Sequence, residues 1–252
     1  MGFTNAVIDI SHHNGTLDLS IAPKAGVVGI IQKATQGTKF IDPTYQANYA
    51  QARQLGLLWG VYHFGNGDDG VMQADFFLKT VQPLAVTTLL VLDFESNNAG
   101  STMSLQDARD FVTHIKLVTG IWPGLYGGSY LKEQLGSQPD PTLQNCWLWL
   151  AQYGPSAVLP PGWSNWTLWQ YLDGHIVPDP DPIIGISPCD RDYYIGSLAD
   201  LQTNWVTGSL AGATVQSVAA QASVAKGAPK KTRKKLHARD RNGRVPKRRD
   251  AE

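Results

Sequence analysis

Two carboxylates stand two positions apart at the end of an apolar run. Residues 89–95 read Leu-Leu-Val-Leu-Asp-Phe-Glu, so Asp93 and Glu95 follow four apolar residues. In a strand, side chains two apart share a face and lie about 7 Å apart. At that separation two carboxyl groups can flank one glycosidic bond, one as general acid and the other as nucleophile or base. Two solvated acids at a strand end fit the same short pattern.

Further acids lie at the ends of other apolar runs. Asp9 lies in Val-Ile-Asp-Ile-Ser at residues 7–11, and Asp190 and Asp192 follow Cys189. In a β/α barrel the functional groups sit at the C-terminal ends of the strands, so these acids would meet at one mouth. Crowding like charges raises the pKa of at least one carboxyl, which can then stay protonated and act as general acid. The spacing therefore predicts an acidic catalytic site.

The elements that must position these acids are eight predicted strands. They cover residues 6–10, 27–32, 57–64, 88–94, 122–126, 146–152, 166–171 and 188–194. Helical patterns separate the early strands, one with an N-cap at Asp42 and an end at Gly56, another running from Ser104 to Gly120. After about residue 136 the connections are rich in Pro, Gly and Asp, and few helices are expected. This order predicts an α/β fold, an irregular TIM-like barrel of five β/α units plus three further strands. A doubly wound sheet, the alternative, should keep its helices to the end.

Charge divides the 252-residue chain. Residues 1–225 hold 9 Lys and Arg against 18 Asp and Glu, whereas residues 226–252 hold 12 against 3. We expect a catalytic domain at 1–206, a linker rich in Ala, Ser, Gly and Thr at 207–225, and a basic disordered tail at 226–252. The tail is either simply solvated or a tether for a polyanion such as teichoic acid, lipopolysaccharide or anionic lipid. Nucleic acid fits less well, because the tail has no aromatic side chain to stack on bases.

Several functional classes fit the sequence poorly. The first residues lack the basic and apolar regions of a signal peptide, and no apolar run approaches the ~18 to 20 residues of a membrane helix. Cys146 and Cys189 form neither a disulfide framework nor a metal spacing, so we expect buried thiols. Adjacent side chains diverge in a strand, so His12 and His13 are unsuited to a metal site. We expect a monomer without metal or cofactor.

Seven segments, in order between about residues 6 and 205, resemble glycoside hydrolase family 25, the Chalaropsis-type lysozymes common as phage endolysins. They are VIDISHHNG at 7–15, KATQG at 33–37, GVYHF at 60–64, DFE at 93–95, WLAQY at 149–153, WQY at 169–171 and DRD at 190–192. The resemblance implies the irregular barrel and a retaining β-1,4-N-acetylmuramidase acting on peptidoglycan. One departure is Gln36, where many members carry Glu. Without a signal peptide, such an enzyme would be made in the cytoplasm and reach the wall by holin-type release or at lysis.

The resemblance also implies roles for single residues. Glu95 would be the general acid and Asp93 its partner, either attacking directly or orienting the N-acetyl group of the substrate. Asp9 and Asp190 would complete the mouth, with Asp190 fitting the family pattern better than Asp192. Saccharide contacts are expected from five residues on strands that open toward the mouth, with core packing or a solvated position as the alternative for each: Tyr62, Tyr126, Lys33, Trp149 and Trp169.

The sequence leaves two rival functions open. One is a wall sugar-binding protein on the same barrel that no longer cleaves, for which a lost Asp93 or Glu95 would be the sign. The other is a related barrel glycosidase acting on chitin, since such enzymes also end a strand in paired acids. The order of the seven segments favours the muramidase.

Overall fold

The computed structural model describes residues 3–81, 87–174, 179 and 182–211. Its strands are β1 (Thr4–Ile10), β2 (Gly29–Gln36), β3 (Phe40–Ile41), β4 (Leu58–Phe64), β5 (Leu89–Asp93), β6 (Gly124–Gly127), β7 (Trp147–Ala151), β8 (Leu168–Leu172) and β9 (Asp190–Tyr194). Its α-helices are α1 (Tyr45–Leu55), α2 (Gly70–Val81), α3 (Leu105–Thr119), α4 (Ser129–Leu135) and α5 (Leu198–Trp205). All eight predicted strands are present, and β3 is an additional two-residue strand.

Eight of the strands close into a barrel. They are hydrogen-bonded in the order β1-β9-β8-β7-β6-β5-β4-β2, and β2 returns to β1. Neighbouring strands run parallel except for β9, which is antiparallel to both β1 and β8. The predicted irregular barrel is confirmed, and the open doubly wound sheet is wrong because the pairing of β1 with β2 closes the ring.

The strand β5 shows how the sequence builds two cores. Leu89 and Val91 are fully buried in the inner cluster, which also contains Trp149 of β7. Leu92 and Phe94 belong to the outer cluster, under the surrounding helices. This is the alternation that a period of two dictates. It leaves Asp93 on the inner face, where the barrel opens.

Helices α1 and α3 begin differently. Ser104 is the N-cap of α3, and its hydroxyl accepts a hydrogen bond from the backbone N–H of Asp107, as predicted. The predicted N-cap Asp42 is wrong, because α1 begins at Tyr45 with Thr44 in the cap position. Asp42 Oδ1 instead accepts from the backbone N–H of Thr44 at 2.9 Å, which turns the chain one step before the helix.

Helix α5 closes the floor of the barrel, at the N-terminal ends of the parallel strands. Trp205 is fully buried in the inner cluster, and its Nε1 donates to the backbone oxygen of Trp59 at 2.9 Å. A Cβ at Gly29 would lie 2.9 Å from the Trp205 ring, so the start of β2 must be glycine for the ring to approach. The chain stays packed against this cluster as far as Leu210, which is also fully buried.

Other expectations meet the structure in part. Cys146 and Cys189 are buried free thiols, as predicted. None of the helices in the described residues is long and apolar enough to cross a membrane. The expected linker from residue 212 onward and the whole expected basic tail lie outside the described residues.

Candidate active site

Four predicted acids line one cavity at the mouth of the barrel. The cavity has a volume of about 80 Å³. Its lining residues are Asp9, Tyr62, Asp93, Glu95, Tyr126, Trp149, Gln170 and Asp190. Residues as far apart in the chain as Asp9 and Asp190 thus meet at a site that is small and strongly acidic.

The barrel topology explains why these acids meet. Asp9 is the next-to-last residue of β1, and Asp93 is the last residue of β5. Asp190 starts β9, and because β9 is antiparallel, its start lies at the same mouth as the ends of the other strands. Asp190 pairs directly with Asp9 in the register of the two strands.

Burial raises the pKa of every acid in this group. Asp9 and Asp93 are 5% and 6% exposed, and loss of hydration is the main cause of their raised pKa values. The charge of Glu95 raises the pKa of Asp93 further. Glu95 is itself partly buried and has a raised pKa for the same reason. A carboxyl with a raised pKa can hold a proton near neutrality, as a general acid must.

Lys33 is the cation that opposes this effect. It is 5% exposed, and its charge lowers the pKa values of both Asp93 and Glu95. Its Nζ donates to Gln36 Oε1 at 2.8 Å and lies 4.7 Å from the centre of the Phe64 ring. Gln36, the position that departs from the family pattern, therefore holds this lysine in place.

Gln170 joins two acids and two tyrosines, and sequence reasoning missed it. Its Nε2 donates to Asp9 Oδ2 at 2.9 Å and to Asp190 Oδ2 at 3.1 Å. Its Oε1 accepts from the hydroxyls of Tyr126 at 2.8 Å and Tyr153 at 2.9 Å. The amide thus makes four hydrogen bonds, and their directions fix its orientation. A polar residue in the middle of an apolar strand was the available signal.

Asp192 lies beneath the cavity rather than in its wall. It is fully buried, and Trp149 Nε1 donates to its Oδ1 at 2.6 Å. Its Oδ2 is buried without a hydrogen-bond partner among the described residues, and burial together with the nearby charge of Asp9 raises the pKa of Asp192 well above its usual value. A raised pKa favours the protonated form of this carboxyl. Asp190, by contrast, lines the cavity.

The predicted aromatic residues divide between cavity and core. Tyr62, Tyr126 and Trp149 line the cavity. Trp169 does not line it, so the prediction that Trp169 lies in the cavity wall is wrong. Gln170 faces inward, so its neighbour Trp169 faces outward, where it lies in the outer cluster and its Nε1 donates to the backbone oxygen of Gln152 at 2.6 Å.

His63, which follows Tyr62 in strand β4, shows the same division between cavity and core. His63 is fully buried on the outer face, stacked on Phe111 with ring centroids 4.9 Å apart. Its Nδ1 lies 2.7 Å from Thr35 Oγ1, and its Nε2 lies 3.1 Å from Gln73 Oε1. His63 is therefore a core residue, and Tyr62 is the residue of this pair that reaches the site.

A larger cleft continues from the acidic cavity. It has a volume of about 500 Å³, and it shares Glu95 and Tyr126 with the smaller cavity. Tyr153 lies in its wall with 38% of its surface exposed, and Lys132 of α4 lines the same cleft. Cavities of about 300–1,000 Å³ are typical of ligand sites. Sequence reasoning did not single out Tyr153 or Lys132 as site residues.

The site has a carboxylate oxygen without a partner, and the described residues contain no candidate metal cluster. Asp93 Oδ1 is buried without a hydrogen-bond partner within the described part of the chain. Of the two adjacent histidines, His12 already contacts a carboxylate, because its Nδ1 lies 2.8 Å from Asp42 Oδ2. Among the described residues, no group of three or more His, Cys, Asp or Glu is arranged to hold a metal ion.

A closed β/α barrel with paired, desolvated carboxyl groups at its mouth defines the class of barrel glycoside hydrolases. This chain belongs to glycosyl hydrolases family 25, whose sequence profile matches residues 8–179. The family assignment made from the seven segments is therefore confirmed.

Individual relatives agree with this assignment. The chain is 33% identical over 178 residues to lysozyme M1 of Streptomyces globisporus, a match that covers 65% of this chain and 60% of that protein. It is 28% identical over 184 residues to the N,O-diacetylmuramidase of Chalaropsis sp, covering 66% of this chain and 87% of that one. The crystal structure of the bacterial lysozyme from Streptomyces coelicolor superposes with a TM-score of 0.69 at 31% identity, over 81% of this chain and 98% of that one.

Proposed function

We propose that this protein is an N-acetylmuramidase, a lysozyme that hydrolyses the β-1,4 bond between N-acetylmuramic acid and N-acetylglucosamine in peptidoglycan. The observation that carries the proposal is the pair Asp93 and Glu95 at the end of β5, inside a desolvated cavity with two further acids. The names of the relatives, lysozyme M1 and N,O-diacetylmuramidase, support the same reaction. We further propose that the protein acts as a monomer.

Glu95 is the general acid in this proposal. It lines both the acidic cavity and the larger cleft, so it borders the place where a glycan would pass from one to the other. Burial raises its pKa, which favours the protonated carboxyl that must donate to the leaving oxygen. Lys33 limits this rise and keeps the group able to release the proton.

Asp93 supports the positive charge that develops at the sugar carbon. Its buried Oδ1 has no partner in the described chain, so one oxygen is available to the substrate. It either attacks the carbon or accepts a hydrogen bond from the N-acetyl N–H, so that the acetyl oxygen attacks. Both routes retain the configuration, since each replaces the leaving group twice on the same carbon.

Asp9 and Asp190 complete the mouth. Both accept hydrogen bonds from Gln170, and at Asp9 this bond lowers the pKa against the rise that burial causes, which favours the ionised form of Asp9. Negative charge at this position stabilises an oxocarbenium-like transition state by Coulomb attraction in a site of low dielectric constant. Tyr62, Tyr126 and Trp149 supply apolar ring surface to the bound sugar.

The test is digestion of purified peptidoglycan by the wild type and by Glu95→Gln. The products are reduced with borohydride and their ends are identified by mass spectrometry. We expect muramitol ends from the wild type and none from Glu95→Gln, which should still bind the wall. Glu133→Gln, at an exposed glutamate of α4, is the matched control and should cleave normally.

Three outcomes would contradict the proposal. Reduced glucosamine ends in place of muramitol would identify the other glycosidic bond as the target. Cleavage of chitin but not of peptidoglycan would indicate the related barrel glycosidase. Wall binding without cleavage by the wild type would indicate a sugar-binding protein.

A further inference from the structure

Lys132 places a positive charge in the larger cleft, on the wall formed by α4. Its Nζ donates to Gln152 Oε1 at 2.6 Å, a neutral acceptor that directly follows strand β7. No carboxylate oxygen lies within 4.0 Å of this Nζ among the described residues. An ammonium group has three donors, so two of them remain for a ligand.

The surroundings of Lys132 differ from those of Lys33. Lys33 is almost fully buried, and the charges of Asp93, Asp42 and Glu95 act on it. Lys132 is only partly buried, and its pKa is lowered by burial alone. The pKa of Glu95 is affected by burial and by the charge of Lys33, and Lys132 is not among its causes. Lys132 is therefore separate from the catalytic acids, although it shares a cleft with Glu95.

The lining of the cleft contains one acidic and one basic residue at different positions. Glu95 is its acidic lining residue, at the end that joins the cavity containing Asp9, Asp93 and Asp190. Lys132 is its basic lining residue. An anionic substituent would be repelled by the four acids and attracted to the lysine, so it can bind in one orientation only.

We propose that Lys132 is an anion subsite that binds a carboxylate carried by the glycan strand. This inference rests on the proposed function, because muramic acid bears a lactyl ether ending in a carboxyl group or in a peptide that itself carries carboxylates. Chitin has no such group. Lys132 would therefore favour peptidoglycan over a neutral polymer of N-acetylglucosamine, and would set the direction in which the strand enters the cleft.

The test compares the KM of the wild type and of Lys132→Met on three substrates. They are native peptidoglycan, peptidoglycan whose carboxyls have been amidated with carbodiimide and ammonia, and peptide-free glycan strands, whose carboxylates are lactyl groups. Lys132→Arg keeps the charge and should rescue binding. Lys24→Met, at an exposed lysine that precedes β2 near the barrel floor, removes the same charge outside the cleft.

We expect the KM ratio of Lys132→Met to wild type to be about 10 on native peptidoglycan, the loss typical of a charge-assisted hydrogen bond, and about 1 on the amidated substrate. The kcat values and the pH profile should stay close to those of the wild type. A ratio near 10 on peptide-free strands assigns the contact to the lactyl carboxylate. A ratio near 1 there, with about 10 on native peptidoglycan, assigns it to the stem peptide.

Two results would overturn the subsite. One is a ratio near 1 on native peptidoglycan, and the other is an equal rise on native and amidated substrates, which would indicate a structural role. Failure of the wild type to release muramitol from any substrate would contradict the proposed function instead, so the two failures are distinguishable.

Discussion

Gln170 Nε2 donates to Asp9 Oδ2 over 2.9 Å, although the two residues are 161 positions apart in the chain. The contact exists because β9 lies between β1 and β8 and closes the ring. The same amide reaches Asp190, so one neutral side chain is shared by two acids of the mouth. Gln170 is therefore a positioning residue: it holds the acids at a fixed separation without adding charge.

Replacing Gln170 by Leu should lower kcat/KM about 100-fold. The substitution removes two hydrogen bonds to acids, each worth about 1.5–3 kcal/mol when the acceptor is charged. The hydrogen bond from Gln170 lowers the pKa of Asp9, so its loss should raise that pKa and move the acid limb of the pH profile to higher pH. Measurement of kcat/KM against pH tests this. Gln138→Leu, at an exposed glutamine, is the control. An acid limb that does not shift in Gln170→Leu would indicate that Gln170 contributes only to packing.

Lys33→Met should move the alkaline limb of the pH profile to higher pH. A general acid works while protonated, so activity falls as the pH rises through the pKa of Glu95. The charge of Lys33 lowers that pKa, and removing the charge raises it. Rates measured between pH 5 and 9 would test the direction. Lys132→Met should leave this limb in place, and a shift to lower pH in Lys33→Met would contradict the assignment of Glu95.

Asp192→Asn should make the thermal stability less dependent on pH. The folded pKa of Asp192 lies well above its unfolded value, so its contribution to stability is present at low pH and is lost as the pH rises above about 4. The Asn amide oxygen can still accept from Trp149 Nε1, and the amide has no proton to lose. We expect the Tm of the variant to rise relative to that of the wild type as the pH increases from 4 to 8. The rise should be about 2–4 °C for each kcal/mol of unfolding free energy that the wild type loses over this range.

Asp18→Asn supplies the opposite trend as a control. Ser20 lowers the pKa of the exposed Asp18, so this stabilisation is present at neutral pH and lost in acid. Its Tm should therefore lie slightly below that of the wild type at pH 7 and meet it at low pH. Parallel Tm curves for Asp192→Asn and the wild type would show that Asp192 is ionised in the folded protein.

Trp205→Ala should destabilise the barrel by about 3–5 kcal/mol, as truncation of a large buried aromatic does. The change empties the floor of the barrel and leaves the backbone oxygen of Trp59 without its donor. Unfolding in urea would measure the loss through the transition midpoint. Val206→Ala, next in the chain and 52% exposed, should change stability by less than about 0.5 kcal/mol. Equal midpoints for the two variants would contradict the role of Trp205.

Deletion of residues 226–252 should weaken binding to walls rich in teichoic acid at low salt. The segment holds 12 Lys and Arg against 3 Asp and Glu, so its removal leaves an acidic chain. Co-sedimentation with purified walls at about 10 mM and about 1 M salt would test this, because exposed charges are screened beyond about 3 Å at the higher concentration. Equal binding by both proteins at low salt would refute the polyanion tether.

Much of the acidic mouth could be predicted because it follows from strand parity and barrel geometry. Asp93 occupies the inner face of β5 because its neighbours Leu92 and Phe94 must face the helices. Asp9 and Asp190 follow from the rule that strand ends meet at one mouth. The same parity, applied to Gln170, would have placed Trp169 outside the cavity.

The rest depends on contacts that local patterns do not encode. Helix α5 is only eight residues long, and its signal is a capping box at Ser197 and Asp200 in a region that otherwise lacks helical patterns. Lys132 and Gln152 meet because β6 and β7 are adjacent in the closed ring. Gln170 acquires its role only when Tyr126, Tyr153 and two acids from distant segments surround it.

The position of α5 has a practical consequence for protein engineering. The described chain ends at residue 211, beside the floor of the barrel, while the larger cleft that contains Glu95 opens at the opposite pole. A fluorophore or a wall-targeting module fused behind residue 211 would start about one barrel length from the cleft. Cargo of this kind can therefore be exchanged without redesigning the surface that meets the polymer.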